Sequence, residues 1–158
     1  RYPLILHCCP SGAIERCVYA MLEKAYREQQ KGNVPMLPLW LSPTQVRIIP
    51  VSEIFTEEAE KIMNEIESYH IRVDLDDRSI TMQKKVREAE TEWINYVVVI
   101  GQKEISSGVL AIRDRKVGKI RKMQLQELID EIRKGTRGKP FKPLTLPKFL
   151  SKRPQFSF

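Results

Sequence analysis

The chain has 158 residues, of which 42% are hydrophobic and 30% are charged, and its formal net charge is +7. This composition excludes a largely disordered chain, and no apolar run approaches the length of about 18 residues that spans a membrane. The three cysteines are odd in number and crowded at one end, which argues against a disulfide framework, so we expect a cytoplasmic protein.

The positive charge is concentrated at one end of the chain. Residues 133–158 carry eight Lys or Arg and no acid, and the stretch "RDRKVGKIRK" at 113–122 is a second basic segment. Such clustering predicts a polyanionic partner, with nucleic acid as the first candidate. The alternative is a solvated, loosely ordered tail that keeps the protein in solution.

The first 43 residues predict a strand that runs into a helix, followed by a linker. A helix is expected over 14–32, ended by Gly32. The segment 33–43 contains three prolines, which is typical of a connection between two units. The apolar residues of the helix recur at helical spacing and should face inward: Ile14, Val18, Met21, Leu22 and Ala25.

The segment 51–139 has no proline and should hold the regular core. Strand–helix–strand units favour parallel strands, whereas the short connection "GQKEISSG" favours an antiparallel hairpin. We therefore predict an α/β fold with a mixed five-stranded sheet and about three flanking helices, the last ended by Gly135. The predicted strands are 45–51, 71–75, 96–101, 108–114 and 116–121, and the predicted helices are 56–70, 79–93 and 124–135.

The stretch "LHCCPSGAIERCVYAMLEK" at 6–24 contains donor atoms that suit zinc. Neighbouring residues of an extended strand point to opposite faces, so His7, Cys8 and Cys9 cannot all bind one metal without a kink. A complete local site is therefore not expected, and the three cysteines, including Cys17, are interpreted as small buried hydrophobic residues. One ligand of a site completed elsewhere stays open.

The turn at Ser11 and Gly12 leads into the predicted helix and could offer backbone N–H groups to an anion, with Arg16 nearby. The stretch lacks the glycine spacing of the common nucleotide-binding loops, so this signal alone is weak.

Two further groups are candidates for nucleic-acid contacts. Glu104 and Arg113 flank the predicted hairpin, where a carboxylate and a guanidinium can read base edges; a surface salt bridge is the alternative. Lys84, Lys85 and Arg87 on the second helix could follow a phosphate backbone or form its solvated side.

Three segments together resemble a known family. "LWLSPTQVRIIPVS", "DDRSITMQKKVREAE" and "YVVVIGQKEISSGVLAIRDRK" are similar to the C-terminal anticodon-binding domain of class II aminoacyl-tRNA synthetases, most of all to archaeal threonyl-tRNA synthetases. "HCCPSGAIER" resembles motif 3 of the catalytic domain. The resemblance implies an edge of the catalytic domain at 1–32, a linker at 33–43, an anticodon-binding domain at 44–135 and a basic tail at 136–158.

The resemblance also assigns roles to residues. Arg16 matches the arginine that binds the ATP phosphates, and His7 matches a zinc ligand whose two companions lie upstream of this chain. Glu104 and Arg113 match residues that contact the middle and last anticodon bases. Ser79 replaces a family asparagine and offers fewer hydrogen bonds. Further positions near the RNA are matched by Arg78, Lys85 and Arg87.

The chain is thus expected to be a fragment that recognises the anticodon of threonine tRNA but does not aminoacylate alone. The whole enzyme would use ATP with Mg and Zn, contain the missing catalytic domain and form a homodimer. One alternative is an accessory protein that uses the same domain for protein contacts. Another is a small-molecule-binding regulatory domain, which the basic tail and the lack of a glycine-rich phosphate loop disfavour.

Overall fold

A computed structural model describes residues 2–10 and 12–154 and divides the chain into two units, Arg1–Leu37 and Pro38–Phe158. The first unit contains helix α1, Ile14–Gln30, and Gly32 follows it with a φ of 86°. The predicted strand before α1 is absent: residues 2–9 form no strand. A strand needs a paired neighbour to satisfy its backbone groups, and no described residue supplies one.

The first unit also departs from the predicted burial. Of the expected inward face of α1, Ala25 is buried and Met21 half-buried, but Ile14, at 80% exposure, and two further positions, Val18 and Leu22, are exposed. The cysteines are not buried hydrophobic residues either, because Cys8 and Cys9 are exposed and Cys17 is only partly covered.

The second unit contains a mixed five-stranded sheet, as predicted, in the order β2-β1-β3-β4-β5. The first three strands in this order are parallel, and β4 and β5 are antiparallel to their neighbours. The elements are β1 (Val46–Pro50), α2 (Thr56–Ser68), β2 (Val73–Leu75), α3 (Met82–Thr91), β3 (Tyr96–Ile100), α4 (Gln102–Ser107), β4 (Val109–Asp114), β5 (Lys119–Gln124) and α5 (Leu125–Thr136).

Helices cover both faces of the sheet because successive parallel strands are added first on one side of β1 and then on the other. The connection from β1 to β2 runs one way and that from β2 to β3 runs back over β1, so right-handed crossovers place α2 and α3 on opposite faces. On the α2 face, Met63 and Leu128 of α5 pack on the sheet in the main core. On the α3 face, Ala89 packs with Ile49 and Val97.

Four local predictions differ from the structure. The connection between β3 and β4 is helix α4 rather than a plain turn, and α3 begins at Met82, after an N-cap whose Thr81 side chain accepts a hydrogen bond from the Lys84 N–H. The last strand starts at Lys119, beyond a turn. Gly135 lies inside α5, and it is Gly138 that adopts a positive φ, 71°.

The basic tail is partly packed on the sheet domain. Phe149 forms a parallel bridge with Leu75 of β2, and Leu150 is only 5% exposed. Arg153 donates to the buried Asp74 carboxylate at 2.8 Å. The alternative of a loosely ordered tail therefore does not hold for residues 147–153, whereas residues 155–158 lie outside the described part of the chain.

Candidate nucleic-acid interface

Glu104 lies at the carboxyl end of β3, in the first turn of α4. Its Oε2 accepts a hydrogen bond from the Gly101 N–H at 3.1 Å, which caps the helix. A Cβ on Gly101 would lie 3.2 Å from both this oxygen and Val51 Cγ2, so glycine leaves room for the cap. Oε1 accepts no hydrogen bond from any residue that the structure describes, so half of the carboxylate is free to accept one.

The loop after β2 lies at the same edge of the sheet, because the carboxyl ends of parallel strands meet there. The Ser79 hydroxyl donates to Glu53 Oε1 at 2.7 Å, and Glu53 follows β1, which separates β2 from β3. With one strand between them, β2 and β3, which the loops of Ser79 and Glu104 follow, are about 10 Å apart. Ser79 is exposed and reachable from solvent.

Arg78 ties this loop to α3. Its Nε and Nη2 donate to the two Asp76 carboxylate oxygens at 2.8 and 2.7 Å, and Nη2 also pairs with Glu88 at 2.7 Å. The hydrogen bonds with Asp76 raise the pKa of the guanidinium. Burial alone would raise the pKa of the Asp76 carboxyl, but the bonds from Arg78 outweigh it, so that pKa lies below its ordinary value. Arg78 therefore fixes the conformation of the loop after β2 and connects this loop to α3.

The basic residues of α3 do not share one solvated face. Lys85 is only 6% exposed, and its Nζ donates to the Asp76 carbonyl at 2.9 Å. The sequence suggested that this lysine lies on the outer face of α3. The structure instead buries it, and it holds the loop after β2. Lys84 and Arg87 are exposed and can meet a phosphate backbone.

Arg113 lies on β4, on the sheet face that α3 covers. Its register partner is Val97 of β3, and its Nη1 donates to Glu90 of α3 at 3.0 Å. The side chain is 41% exposed and that of Glu90 49%, so this ion pair stabilises the fold by about 0–1 kcal/mol. Arg115, two residues along, donates to the Glu90 carbonyl at 2.6 Å and stacks on Trp93.

The structure does not join Glu104 and Arg113 in a direct contact. Val97, the register partner of Arg113, lies three residues before the end of β3, whereas Glu104 lies beyond that end. At about 3.3 Å per residue, the two side chains begin at levels about 10 Å or more apart along the strand. This spacing suits contacts with successive unstacked bases rather than with one base.

A buried network supports the α3 face. Arg47 donates to Asp74 through Nε and Nη2, both at 2.9 Å, and to Glu92 at 2.6 Å. Burial alone would lower the pKa of the Arg47 guanidinium, but the hydrogen bonds with these carboxylates outweigh it and raise the pKa. Thr44 and Arg153 also donate to Asp74. The network connects β1, β2, the end of α3 and the tail.

The N-terminal candidates form no complete site. His7 Nε2 lies 3.0 Å from Cys9 Sγ, and among residues 2–10 and 12–154 no three His, Cys, Asp or Glu side chains are placed to hold a metal. Arg16 is exposed in the first turn of α1, with Nη1 3.7 Å from the position of a Cβ on Gly12. Ser11 of the predicted anion-binding turn lies outside the described residues.

Sequence reasoning missed three contributors to this surface. Glu90, which holds Arg113, is 23 residues away in sequence, and Asp76, which anchors both Arg78 and Lys85, reads as an ordinary loop acid. Gly101 makes room for Glu104, and a glycine directly after an apolar strand was the one available signal.

Over the described part of the chain, no helix is long and apolar enough to cross a membrane.

Comparison with known proteins places this surface in a family. The profile of the family described as "Anticodon binding domain" matches residues 45–135, from β1 to α5. The chain is 54% identical over 99% of its length to the threonine–tRNA ligase of Pyrococcus horikoshii and 50% identical over 98% to that of Cenarchaeum symbiosum, and in each case it spans 25% of the relative.

A solved structure agrees with the sequence matches. The RNA-binding domain of threonyl-tRNA synthetase from Cryptosporidium parvum superposes with a TM-score of 0.59 at 29% identity, covering 68% of this chain and 26% of that one. The profile match covers all five strands and the three long helices of the sheet domain. The chain therefore belongs to the anticodon-binding domain family, and it is similar along nearly its whole length to about a quarter of the threonine–tRNA ligases that it matches.

Proposed function

We propose that the surface formed by Glu104, Ser79 and Arg113 recognises the anticodon loop of a threonine tRNA. The observation that carries the proposal is the position of Glu104 within the matched segment: its side chain is held by the hydrogen bond from the Gly101 N–H to Oε2, while Oε1 accepts none from the described residues at the exposed edge of the sheet. A carboxylate oxygen accepts hydrogen bonds from the amino and imino groups of guanine, which are exposed once an anticodon base leaves the stack.

The weak hold on Arg113 suits a readout residue. Breaking its exposed pair with Glu90 costs about 0–1 kcal/mol, whereas a good bidentate contact with a base is worth about 1–3 kcal/mol of discrimination. A base edge can therefore displace Glu90 at a net gain. Until RNA arrives, the pair holds the guanidinium on the α3 face, which limits the side-chain entropy lost on binding.

The other predicted residues divide into two roles. Ser79 and Arg87 are exposed and are proposed to contact the RNA directly. Arg78 and Lys85 are proposed to act by fixing the loop around Asp76, which positions Ser79. The exposed Lys84 adds a phosphate contact to the same end of α3.

At the level of the whole protein, we propose ATP-dependent threonylation of tRNA by a cytoplasmic homodimer. The relatives with this name are about four times longer than the chain, since it spans 25% of them. Arg16 would contact ATP, which is used with Mg, in a site shared with the absent catalytic domain. His7 alone does not form a zinc site, so zinc binding requires ligands from that domain, and the chain alone is not expected to aminoacylate.

The test compares two matched pairs of variants by their affinity for a threonine tRNA transcript. Glu104→Gln and Glu127→Gln each neutralise a helix-capping glutamate, because Glu127 caps α5 through the Gln124 N–H as Glu104 caps α4. Arg113→Ala is compared with Lys61→Ala, which removes an exposed charge from α2 on the opposite face.

We expect the Glu104 and Arg113 variants to lose about tenfold or more in affinity and the controls about twofold or less. The loss in Glu104→Gln should shrink for a transcript whose middle anticodon base is changed, because the contact proposed for Glu104 is already absent there. Equal losses in the variants and their controls, on both transcripts, would show that this surface does not read the anticodon.

A further inference from the structure

A polar cleft lies at the end of the sheet opposite to Glu104 and Ser79, at the amino ends of β1 and β2. It has a volume of about 270 Å³ and is lined by the segment before β1, the end of α2, the last turn of α5 and the residues after it. Glu104 and Ser79 lie beyond the carboxyl ends of the strands, so this cleft is separate from the surface proposed to read the anticodon.

Arg72 gives the cleft an uncompensated buried charge. It is 8% exposed, and its guanidinium donates to the backbone carbonyls of Ser42 at 2.9 Å, Trp40 at 2.7 Å and Lys142 at 3.4 Å. Burial lowers the pKa of this group, and no carboxylate of the described residues accepts from it. A buried cation held by dipoles alone favours an incoming anion.

Several arginines of the sheet domain differ from Arg72 in this respect. Arg47, Arg78, Arg121 and Arg153 each donate to at least one carboxylate. Arg72 is buried at the cleft and donates to backbone carbonyls, with no carboxylate of the described residues among its acceptors. The positive charge at this edge is therefore not explained by ion pairs that hold the fold together.

Three more cations line the same cleft without an acid among its described lining residues. Arg133 lies 5.7 Å from the Tyr69 ring centre and Lys139 lies 5.7 Å from that of Trp40, so both are placed by contacts with aromatic rings. Arg137 is exposed at the end of α5. A concentration of guanidinium and ammonium groups is the usual chemistry for binding a phosphoryl group.

The aromatic residues indicate more than a bare anion. The Phe141 ring meets the His70 ring edge to face, with centres 5.1 Å apart, beside the rings of Trp40 and Tyr69. Aromatic walls beside cations are the arrangement with which proteins hold a base and its phosphate. The volume lies just below the range of about 300–1,000 Å³ for small-ligand sites, which suits a single nucleotide.

We propose that this cleft binds one phosphorylated nucleotide, either free or as one unit of an RNA chain, through Arg72, Arg133, Arg137 and Lys139. The site stands on its own geometry and does not require that the opposite edge read the anticodon. If the nucleotide belongs to RNA, the cleft contacts it irrespective of the anticodon sequence.

The experiment uses the whole chain and a charge-reversal pair on α5. Arg137→Glu alters the cleft, and Lys134→Glu makes the same change of net charge three residues away, at an exposed position that does not line it. Each protein is titrated calorimetrically with cytidine 5′-monophosphate and with cytidine. A tRNA transcript with the threonine anticodon and one with a changed middle base are titrated in parallel.

If the free nucleotide is the ligand, cytidine 5′-monophosphate binds with one site per chain, cytidine does not, and Arg137→Glu alone weakens binding about tenfold or more. If RNA is the ligand, Arg137→Glu lowers the affinity for both transcripts by the same factor, about tenfold more than Lys134→Glu does. The ratio of the two affinities is then unchanged. Nucleotide and tRNA binding that are the same in the two variants would overturn the proposal, whatever the anticodon variants show.

Discussion

Asp74 gives the sharpest test of how the sheet domain is held together. Its carboxylate is fully buried and accepts hydrogen bonds from Arg47, Thr44 and Arg153. In Asp74→Ala the Arg47 guanidinium loses its bidentate partner in a buried setting and keeps only Glu92. Removing one partner of a buried pair typically costs about 3–5 kcal/mol, because the remaining charge is left without compensation.

That loss is large compared with a total stability of about 5–15 kcal/mol for a domain. For a unit of this size it lowers the melting temperature by on the order of 10–20 °C. The free energy of unfolding is measured by urea denaturation at pH 7 for Asp74→Ala and for the double variant Arg47→Met/Asp74→Leu. We expect the double variant to regain roughly half or more of the loss, because the fully buried guanidinium is removed together with its carboxylate, and the two charged groups that lose a partner, Glu92 and Arg153, both reach solvent.

The matched control is Asp130→Ala, since Asp130 is an exposed acid on α5 and its loss should change the free energy of unfolding by less than about 0.5 kcal/mol. If Asp74→Ala cost less than about 1 kcal/mol, or if the double variant were less stable than the single one, the assigned role of the network would be refuted.

Two further predictions concern the tail and the loop after β2. Leu150→Ala should destabilise the chain by about 2–4 kcal/mol in urea denaturation, because Leu150 is buried, whereas Leu146→Ala at a half-exposed position should cost under about 1 kcal/mol; equal values would contradict the packing of the tail. The lowered pKa of Asp76 stabilises the fold above about pH 4 and ceases to do so as the pH falls through the folded-state pKa. Between pH 5 and pH 2 the free energy of unfolding should therefore fall less in Asp76→Asn than in the unmodified chain, while Asp130→Asn should follow the unmodified chain; parallel curves for Asp76→Asn would exclude this contribution.

The sequence predicted the structure well where the pattern within a single strand or helix determines its type. The predicted strand at 96–101 corresponds to β3, and the predicted helix at 56–70 begins with α2 at Thr56. Prediction from the sequence failed where an element is short. Helix α4 has six residues, too few for a periodic pattern, so its glycine and serine residues read as a turn.

Contacts between distant segments were beyond the sequence. Lys85 is adjacent to the apolar face of α3 and could have been solvated, but the Asp76 carbonyl from the preceding loop draws its ammonium inward. The Arg153 contact with Asp74 joins residues 79 apart, and nothing in a basic tail distinguishes this arginine from the others. Arg113 was singled out from the predicted hairpin and through a family resemblance, whereas its partner Glu90 was found only in the fold.

The central claim is that this chain reads an anticodon. The most direct measurement is the affinity of the unmodified chain for a threonine tRNA transcript and for one with the middle anticodon base changed, over a series of salt concentrations. The account predicts a loss of about 1–3 kcal/mol for the changed transcript, with parallel salt dependence, because base contacts are lost and phosphate contacts are kept. Equal affinity for both transcripts at every salt concentration would contradict the account and leave only charge-driven RNA binding.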